Sequence, residues 1–390
     1  YPKVPVAGTV HYRPRAERKG MRIARRRVYR AIAAASLGAV LAACSPASHT
    51  GTGAASGSGS SLQVAAASRG VSFVVGGTTT YGTLEVPAHR AGRRLAAALL
   101  LAGSGPTDRN GDDAAAGRSS HTLQLIAGDL AQLGIMSLRF DKYFAGQTGA
   151  GTFGSDPGSI TLSDFIRQAD AAYDLLRGEP ETDTGRMLVV GHSEGGMYAL
   201  LVAGSVSPHP AGLALIEPQD ARLLTLVQLQ TDEQIDATVS QGMLTAAGAR
   251  SDTEGVQRAI AEFRAGRPVT ISGLSPDVVQ LLAPELLTPA NARYVRSDDA
   301  VYPPSVAARL ARGTRVLVTD GTRDTNVPLS TIEPLVSALA GTSGPGLQVL
   351  NGVNHLLHLP GVPDNDQLLA PSAVTALRAW AQPYATEGPA

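Results

Sequence analysis

Four apolar residues, Met187–Val190, run directly into Gly191-His192-Ser193-Glu194-Gly195-Gly196, and the apolar stretch Met197–Ala203 follows. Such a run, interrupted by glycines and then resumed, reads as a buried strand turning sharply into a helix. A strand buried on both faces belongs in a parallel sheet covered by helices, and the rest of the chain fits that frame. Leu95–Leu101 is a second continuous apolar run, ending at Ala102-Gly103-Ser104-Gly105-Pro106. Ile135–Phe140, Leu213–Ile216, Val316–Thr319 and Leu347–Leu350 read as further strands. Val71–Val75 and Thr78–Val86 suggest an antiparallel pair joined at Gly76-Gly77.

Helical spacing fills the intervals. Leu123, Leu125, Ile126, Leu130 and Leu133 form one set; Leu162, Phe165, Ile166, Ala169, Tyr173 and Leu176 form another, opened by a capping box of Thr161 and Asp164. Gly146 to Gly158 reads as a long Gly-rich loop. Alternating strands and helices predict an α/β fold, a mostly parallel sheet with helices on both faces. The alternation breaks from about Gln219 to Ser305, where Val256, Ile260 and Phe263 keep helical spacing and Ser275-Pro276 reads as N-cap and first helical residue. This interval, about 219–305, is expected to be a helical cap inserted at the sheet's carboxyl edge, where open α/β sheets bind ligands. Leu223, Leu224, Leu226, Val227, Leu281 and Leu282 are expected chiefly to glue that cap down, although they would also suit an apolar acyl group.

Charge is segregated along the chain. The totals balance at 33 basic and 33 acidic residues, yet residues 1–30 hold ten Lys/Arg and one Glu, leaving 23 basic and 32 acidic downstream. The part beyond residue 30 is therefore acidic, and no electrostatic footprint for nucleic acid is present. Met21, followed by Arg22, Arg25, Arg26, Arg27 and Arg30 and then thirteen uncharged residues from Ala31 to Ala43, has the layout of a signal peptide. Residues 1–20 are expected to be sequence upstream of it, and 21–43 the signal peptide itself. Leu41-Ala42-Ala43-Cys44 resembles a bacterial lipobox, in which Cys44, the chain's one cysteine, would be acylated. The expected result is a protein exported and anchored in the cell membrane by lipid on its extracytoplasmic side; the alternative is secretion after a cut near Ala43. Arg25-Arg26 also fits twin-arginine export. Residues 44–68, rich in Ser, Gly, Ala and Thr, read as a flexible tether. The folded domain is expected over 69–390. A single cysteine excludes an internal disulfide framework and any Cys-rich zinc site.

Gly191-His192-Ser193-Glu194-Gly195 matches G-x-S-x-G, a pattern that a chain this rich in Gly and Ser would contain about 0.3 times by composition. Its place between strand and helix gives it weight, because that strained turn exposes a serine hydroxyl. A serine needs a base, and the base an orienting acid, C-terminal to it at the ends of later strands. Asp324 lies in Gly321–Pro328 after Val316–Thr319, with Asp320 as its rival; His355 follows Leu347–Leu350, with His358 as its rival. An oxyanion hole would take the N–H of Glu194 and a second from the Gly103–Pro106 loop, where Ser104 is the expected donor. The alternative for that loop is a plain Gly-Pro turn. Arg109 is expected to form a loop ion pair, and the pairs Asp232-Glu233 and Asp298-Asp299 to be solvated cap surface.

On these residues the chain resembles the α/β-hydrolase superfamily, and most of all bacterial exported esterases of the serine-aminopeptidase-like branch. The resemblance is carried by Gly103–Gly111, Leu138-Arg139-Phe140-Asp141-Lys142, Gly191–Gly196, Gly321–Pro328 and Asn354-His355. It implies an eight-stranded sheet, a triad of Ser193, His355 and Asp324, a small ester or acyl substrate, and no cofactor. Tyr143-Phe144-Ala145-Gly146 and Glu217-Pro218-Gln219 depart from the pattern of such hydrolases. Acyl transfer or peptide cleavage on the same triad is an alternative. So is a lipid-anchored envelope-binding protein without turnover, which requires a broken triad.

Overall fold

Leu95, Ala97, Leu99 and Leu101 point to one side of the sheet and Ala96, Ala98 and Leu100 to the other, and all seven are buried. The two-residue period of a strand thus feeds two separate cores. The structure is a computed structural model, and it describes residues 62–114, 117–361 and 368–386. The expected signal peptide, Cys44 and most of the tether lie outside the described residues.

Eight strands form one sheet: β1 (Ala67–Val75), β2 (Thr78–Val86), β3 (Leu95–Leu101), β4 (Met136–Phe140), β5 (Thr182–His192), β6 (Gly212–Ile216), β7 (Arg315–Gly321) and β8 (Ser343–Leu350). Across the sheet they run β1-β2-β4-β3-β5-β6-β7-β8, with β1–β2 and β2–β4 antiparallel and every other neighbour parallel. Strand pairing starts earlier than the expected boundary at residue 69. Gln63–Val64 pair with His89–Arg90, and β1 opens at Ala67, so the end of the expected tether is part of the fold.

Helices α1 (Thr122–Gln132) and α9 (Pro371–Ala381) cover one face, where Leu123, Ile126, Leu377 and Trp380 pack. Helices α2 (Leu162–Gly178) and α3 (Glu194–Ser205) cover the other, with Ala169, Tyr173 and Met197. The capping box at Thr161 and Asp164 is formed, and it fixes where α2 starts. Between β6 and β7 lie α4 (Leu223–Ser240), α5 (Ala246–Arg264), α6 (Pro276–Leu282), α7 (Ala292–Asp299) and α8 (Pro303–Ala307). The first four share a core of their own, including Leu224, Val256, Ile260, Phe263, Leu282 and Val295. The five leucines and one valine expected to glue the cap have different surroundings. Leu224, Val227 and Leu282 are in that core, Leu281 is exposed, and Leu223 and Leu226, together with Val227, face a cavity beside Ser193. Among the described residues no helix is long and apolar enough to cross a membrane.

Candidate active site

Parallel register puts the end of β3 beside the end of β5, with Leu101 opposite Gly191. Ser193 follows immediately and adopts φ 57° and ψ −125°, a conformation that costs a non-glycine residue about 1–3 kcal/mol. Three backbone bonds hold it there: Ser193 N–H donates to Ile216 C=O (2.9 Å), and Ser193 C=O accepts from Gly196 (2.8 Å) and Gln219 (2.9 Å). Glycine is required on either side of this turn. A Cβ on Gly191 would lie 1.9 Å from Gly195 O, and one on Gly195 would lie 2.2 Å from Leu101 O.

His355 and Asp324 arrive from neighbouring strand ends, since β7 and β8 pair through Leu350 and Gly321. The two loops are stitched together by Thr322 N–H to Leu350 O (3.0 Å) and Arg323 N–H to Val353 O (3.0 Å). His355 Nε2 stands 2.9 Å from Ser193 Oγ, and His355 Nδ1 stands 2.6 Å from Asp324 Oδ2. Asp324 Oδ1 accepts from the N–H groups of Asn326 (2.7 Å) and Val327 (2.9 Å). Burial pushes this carboxyl up, but the bond to His355 and those two N–H groups outweigh it and hold it below the ordinary carboxylate range. An ionised Asp324 can only accept, so Nδ1 carries the proton and Nε2 offers its lone pair to the serine.

The two rivals are placed elsewhere. Asp320 is buried in β7 with no hydrogen-bond partner on either oxygen among the described residues, and burial followed by the Asp324 and Asp220 charges raises it to about 8. His358 is fully buried and its N–H donates to Asn354 Oδ1 (2.9 Å), a bond that shapes the His355 loop.

Ser104 and Glu194, the expected oxyanion donors, are joined by a residue that spacing alone did not single out. Lys142 Nζ donates to Gly103 O and lies 3.2 Å from Glu194 Oε2. The Gly103–Ser104 peptide is trans, so its N–H points away from the carbonyl that Lys142 grips. Ser104 also lines the space over Ser193, and its C=O accepts from Thr107 Oγ1 (2.7 Å), which braces the loop. Glu194 opens α3, so its N–H has no acceptor within the helix. Glu194 Oε1 in turn accepts from Tyr294 Oη of α7, which lies 2.9 Å from Tyr198 Oη and 3.3 Å from Asp298 Oδ2.

Asp298 and Asp299 are buried, contrary to the expectation of a solvated pair. Asp298 accepts from Gln219 Nε2 (2.8 Å), and burial together with the Glu194 charge drives its carboxyl well up. Asp299 takes a two-pronged bond from Arg264 (2.7 and 2.9 Å) and caps α4 through Leu224 N–H (2.9 Å). Arg109 does form an ion pair, with Asp141 of the neighbouring loop (Nη2 to Oδ2 2.5 Å) rather than with the adjacent acids.

Further residues here were not reached from the sequence. His192 Nε2 donates to His355 O (2.8 Å), and burial followed by the His355 charge lowers it to about 4, keeping its ring neutral. Glu217, at the end of β6 with φ 45°, is fully buried and accepts from Gly321 N–H (2.6 Å) and Thr319 Oγ1 (3.2 Å). Burial followed by the Asp324 charge drives it well up. The one sequence signal was the departure at Glu217-Pro218-Gln219. Among the described residues no group of three or more His, Cys, Asp or Glu side chains could hold a metal ion.

The strand order, the turn at Ser193 between β5 and α3, and the chain order Ser193, Asp324, His355 decide the architecture. This is the α/β-hydrolase fold. No protein-family model matches the chain, and no curated protein matches it. Several solved α/β hydrolases are similar to it in structure at low identity. Est1E from Butyrivibrio proteoclasticus is 14% identical with a TM-score of 0.45, covering 74% of this chain and 90% of its own. An esterase from Pyrococcus furiosus is 13% identical with a TM-score of 0.47, covering 75% and 84%. A proline iminopeptidase from Mycobacterium smegmatis is 17% identical with a TM-score of 0.48, covering 80% and 98%.

Proposed function

We propose that the protein is a serine hydrolase that cleaves carboxylic esters through an acyl-enzyme. The observation that carries this reading is the unbroken line Ser193 Oγ, His355 Nε2, His355 Nδ1, Asp324 Oδ2, at 2.9 and 2.6 Å. In the first half-reaction Ser193 Oγ bonds to the acyl carbon while its proton passes to His355 Nε2. Asp324 keeps the imidazole in its working tautomer and stabilises the imidazolium. The tetrahedral oxyanion is met by the N–H groups of Glu194 and Ser104, aided by the positive end of α3. Collapse breaks the ester C–O bond, and the leaving alkoxide takes the proton from His355. Water then repeats the sequence on the acyl-enzyme, giving the carboxylic acid and free Ser193.

A binding-only role needs an unassembled triad, and these distances support turnover instead. Transfer to an amine or alcohol, or cleavage of a peptide bond, would use the same residues with a different acceptor or leaving group. The test is hydrolysis of p-nitrophenyl esters by the native chain, Ser193→Ala and His355→Ala. Turnover in the native protein and loss in both variants is expected; undiminished turnover in Ser193→Ala would sink the reading.

We also propose that the chain is exported and anchored by a lipid on Cys44. Support comes from the Arg-rich start at Met21, the uncharged stretch Ala31–Ala43 and the lipobox-like Leu41–Cys44. A single acyl chain binds membranes marginally, so stable anchoring needs more than one. In detergent-phase partitioning of the expressed full chain, the native protein should enter the detergent and Cys44→Ala the aqueous phase. Native protein in the aqueous phase would favour secretion.

A further inference from the structure

Two cavities of different chemistry meet at Ser193. One, of about 600 Å3, has walls of Phe144, Ile160, Phe165, Leu223, Leu226 and Val227. The polar side chains that line it have partners already: Lys142 with Glu194, Gln219 with Asp298, Arg118 with Asp113 and Gln230 with Asn326 O. They offer little to a polar ligand, so that cavity suits an apolar one. The other, of about 280 Å3, is lined by Thr107, Arg118, Ser120, Arg323, Thr325 and Asn354. Arg118 is paired with Asp113 at 2.9 Å, so Arg323 is the one arginine of this lining without an ion pair among the described residues, and it stands beside the hydrogen-bonding Thr107, Ser120, Thr325 and Asn354.

His355 decides which half of an ester goes where, on the reading that Ser193 is the nucleophile. It lines the smaller cavity together with Ser193, and the larger cavity reaches Ser193 without it. The oxygen that departs must be protonated from His355 Nε2, so the alcohol half sits on the His355 side. The acyl half stays on Ser193 Oγ and extends the other way. We propose that the substrate class is an ester joining an apolar, medium-length acyl group to a hydroxyl-rich alcohol such as a polyol or a sugar. Leu223 on α4 sets the acyl preference, and Arg323 with Thr325 sets the alcohol preference.

The experiment uses the full chain and two crossed ester series. Acetyl and octanoyl esters of glycerol vary the acyl side, and glyceryl and hexyl octanoates vary the alcohol. Octanoyl over acetyl and glyceryl over hexyl are each expected by at least about tenfold in kcat/KM. Leu223→Trp should shrink the first ratio alone, and Arg323→Leu the second alone. If Leu223→Trp does not fold, Leu223→Ala carries the same arm, with an enlarged preference for longer acyl groups. Ratios near one, a reversed preference, or a variant that moves the opposite ratio would overturn the proposal. Labelling of Ser193 by a fluorophosphonate separates the two levels. A labelled enzyme with flat ratios contradicts only the substrate class, whereas an unlabelled one contradicts the reading on which it rests.

Discussion

Lys142 and Glu194 form an ion pair of 3.2 Å with both side chains almost sealed from solvent. Each partner also belongs to one side of the proposed oxyanion hole. Lys142 fixes the direction of the Gly103–Ser104 peptide, and Glu194 supplies its own N–H from the first turn of α3. The pair therefore sets the distance and angle between two donors that come from loops of different strands. Preorganised donors act on the transition state far more than on the bound ester.

Lys142→Met is accordingly expected to lower kcat by about 100-fold with little change in KM. It also strands the Glu194 charge, at a cost of about 3–5 kcal/mol in stability. Lys142→Met with Glu194→Gln should recover most of that stability in a denaturant titration without recovering kcat. Recovery of both would reduce Lys142 to a purely structural role.

The network around this pair shows where sequence reading stops. Ser193, His355 and Asp324 were legible because each sits just past an apolar strand, and strand ends converge in a parallel sheet whatever the distant packing. Tyr294 reaches Glu194 across 100 positions, and Gln219 reaches Asp298 across 79. No local periodicity reports contacts of that span. Asp298-Asp299 looked like solvated charge because two acids on a short helix carry no local sign of burial. Their partners Arg264 and Gln219 are on other elements. Leu223, Leu226 and Val227 were ambiguous for the same reason, since the helical pattern shows that a face is covered but not by what.

Asp324→Asn should lower kcat by about 1,000-fold or more, because an amide at that position can donate and so favours the wrong imidazole tautomer. Asp320→Asn, four residues earlier, removes a group that contacts neither Ser193 nor His355. Steady-state rates of the two variants on one ester check the assignment, and a larger loss at Asp320 would reverse it.

The same Asp320 makes a pH prediction. Its folded-state pKa of about 8 lies above the ordinary aspartate value, so the folded protein holds a proton that the unfolded chain releases at lower pH. The stability it contributes is full below about pH 4 and is lost as pH rises through about 8. Asp320→Asn cannot ionise. Its stability relative to the native protein should therefore climb with pH across that window, with a slope approaching ~1.4 kcal/mol per pH unit. Urea titrations at pH 5, 7 and 9 measure the difference, and a constant offset would contradict an uncharged buried Asp320.

His192→Phe removes the bond to His355 O while keeping a ring of similar size. A fall of about tenfold in kcat is expected, because the His355 loop loses one of its restraints. The limbs of the pH–rate profile should stay in place, since His192 is neutral across the working range. A displaced limb would show that His192 titrates in the reaction.

The central claim is an activated Ser193, and intact-mass measurement after fluorophosphonate treatment tests it most directly. The account predicts one adduct on the native chain and none on Ser193→Ala. An unmodified native protein that is folded by circular dichroism, or an adduct that persists in Ser193→Ala, would contradict it.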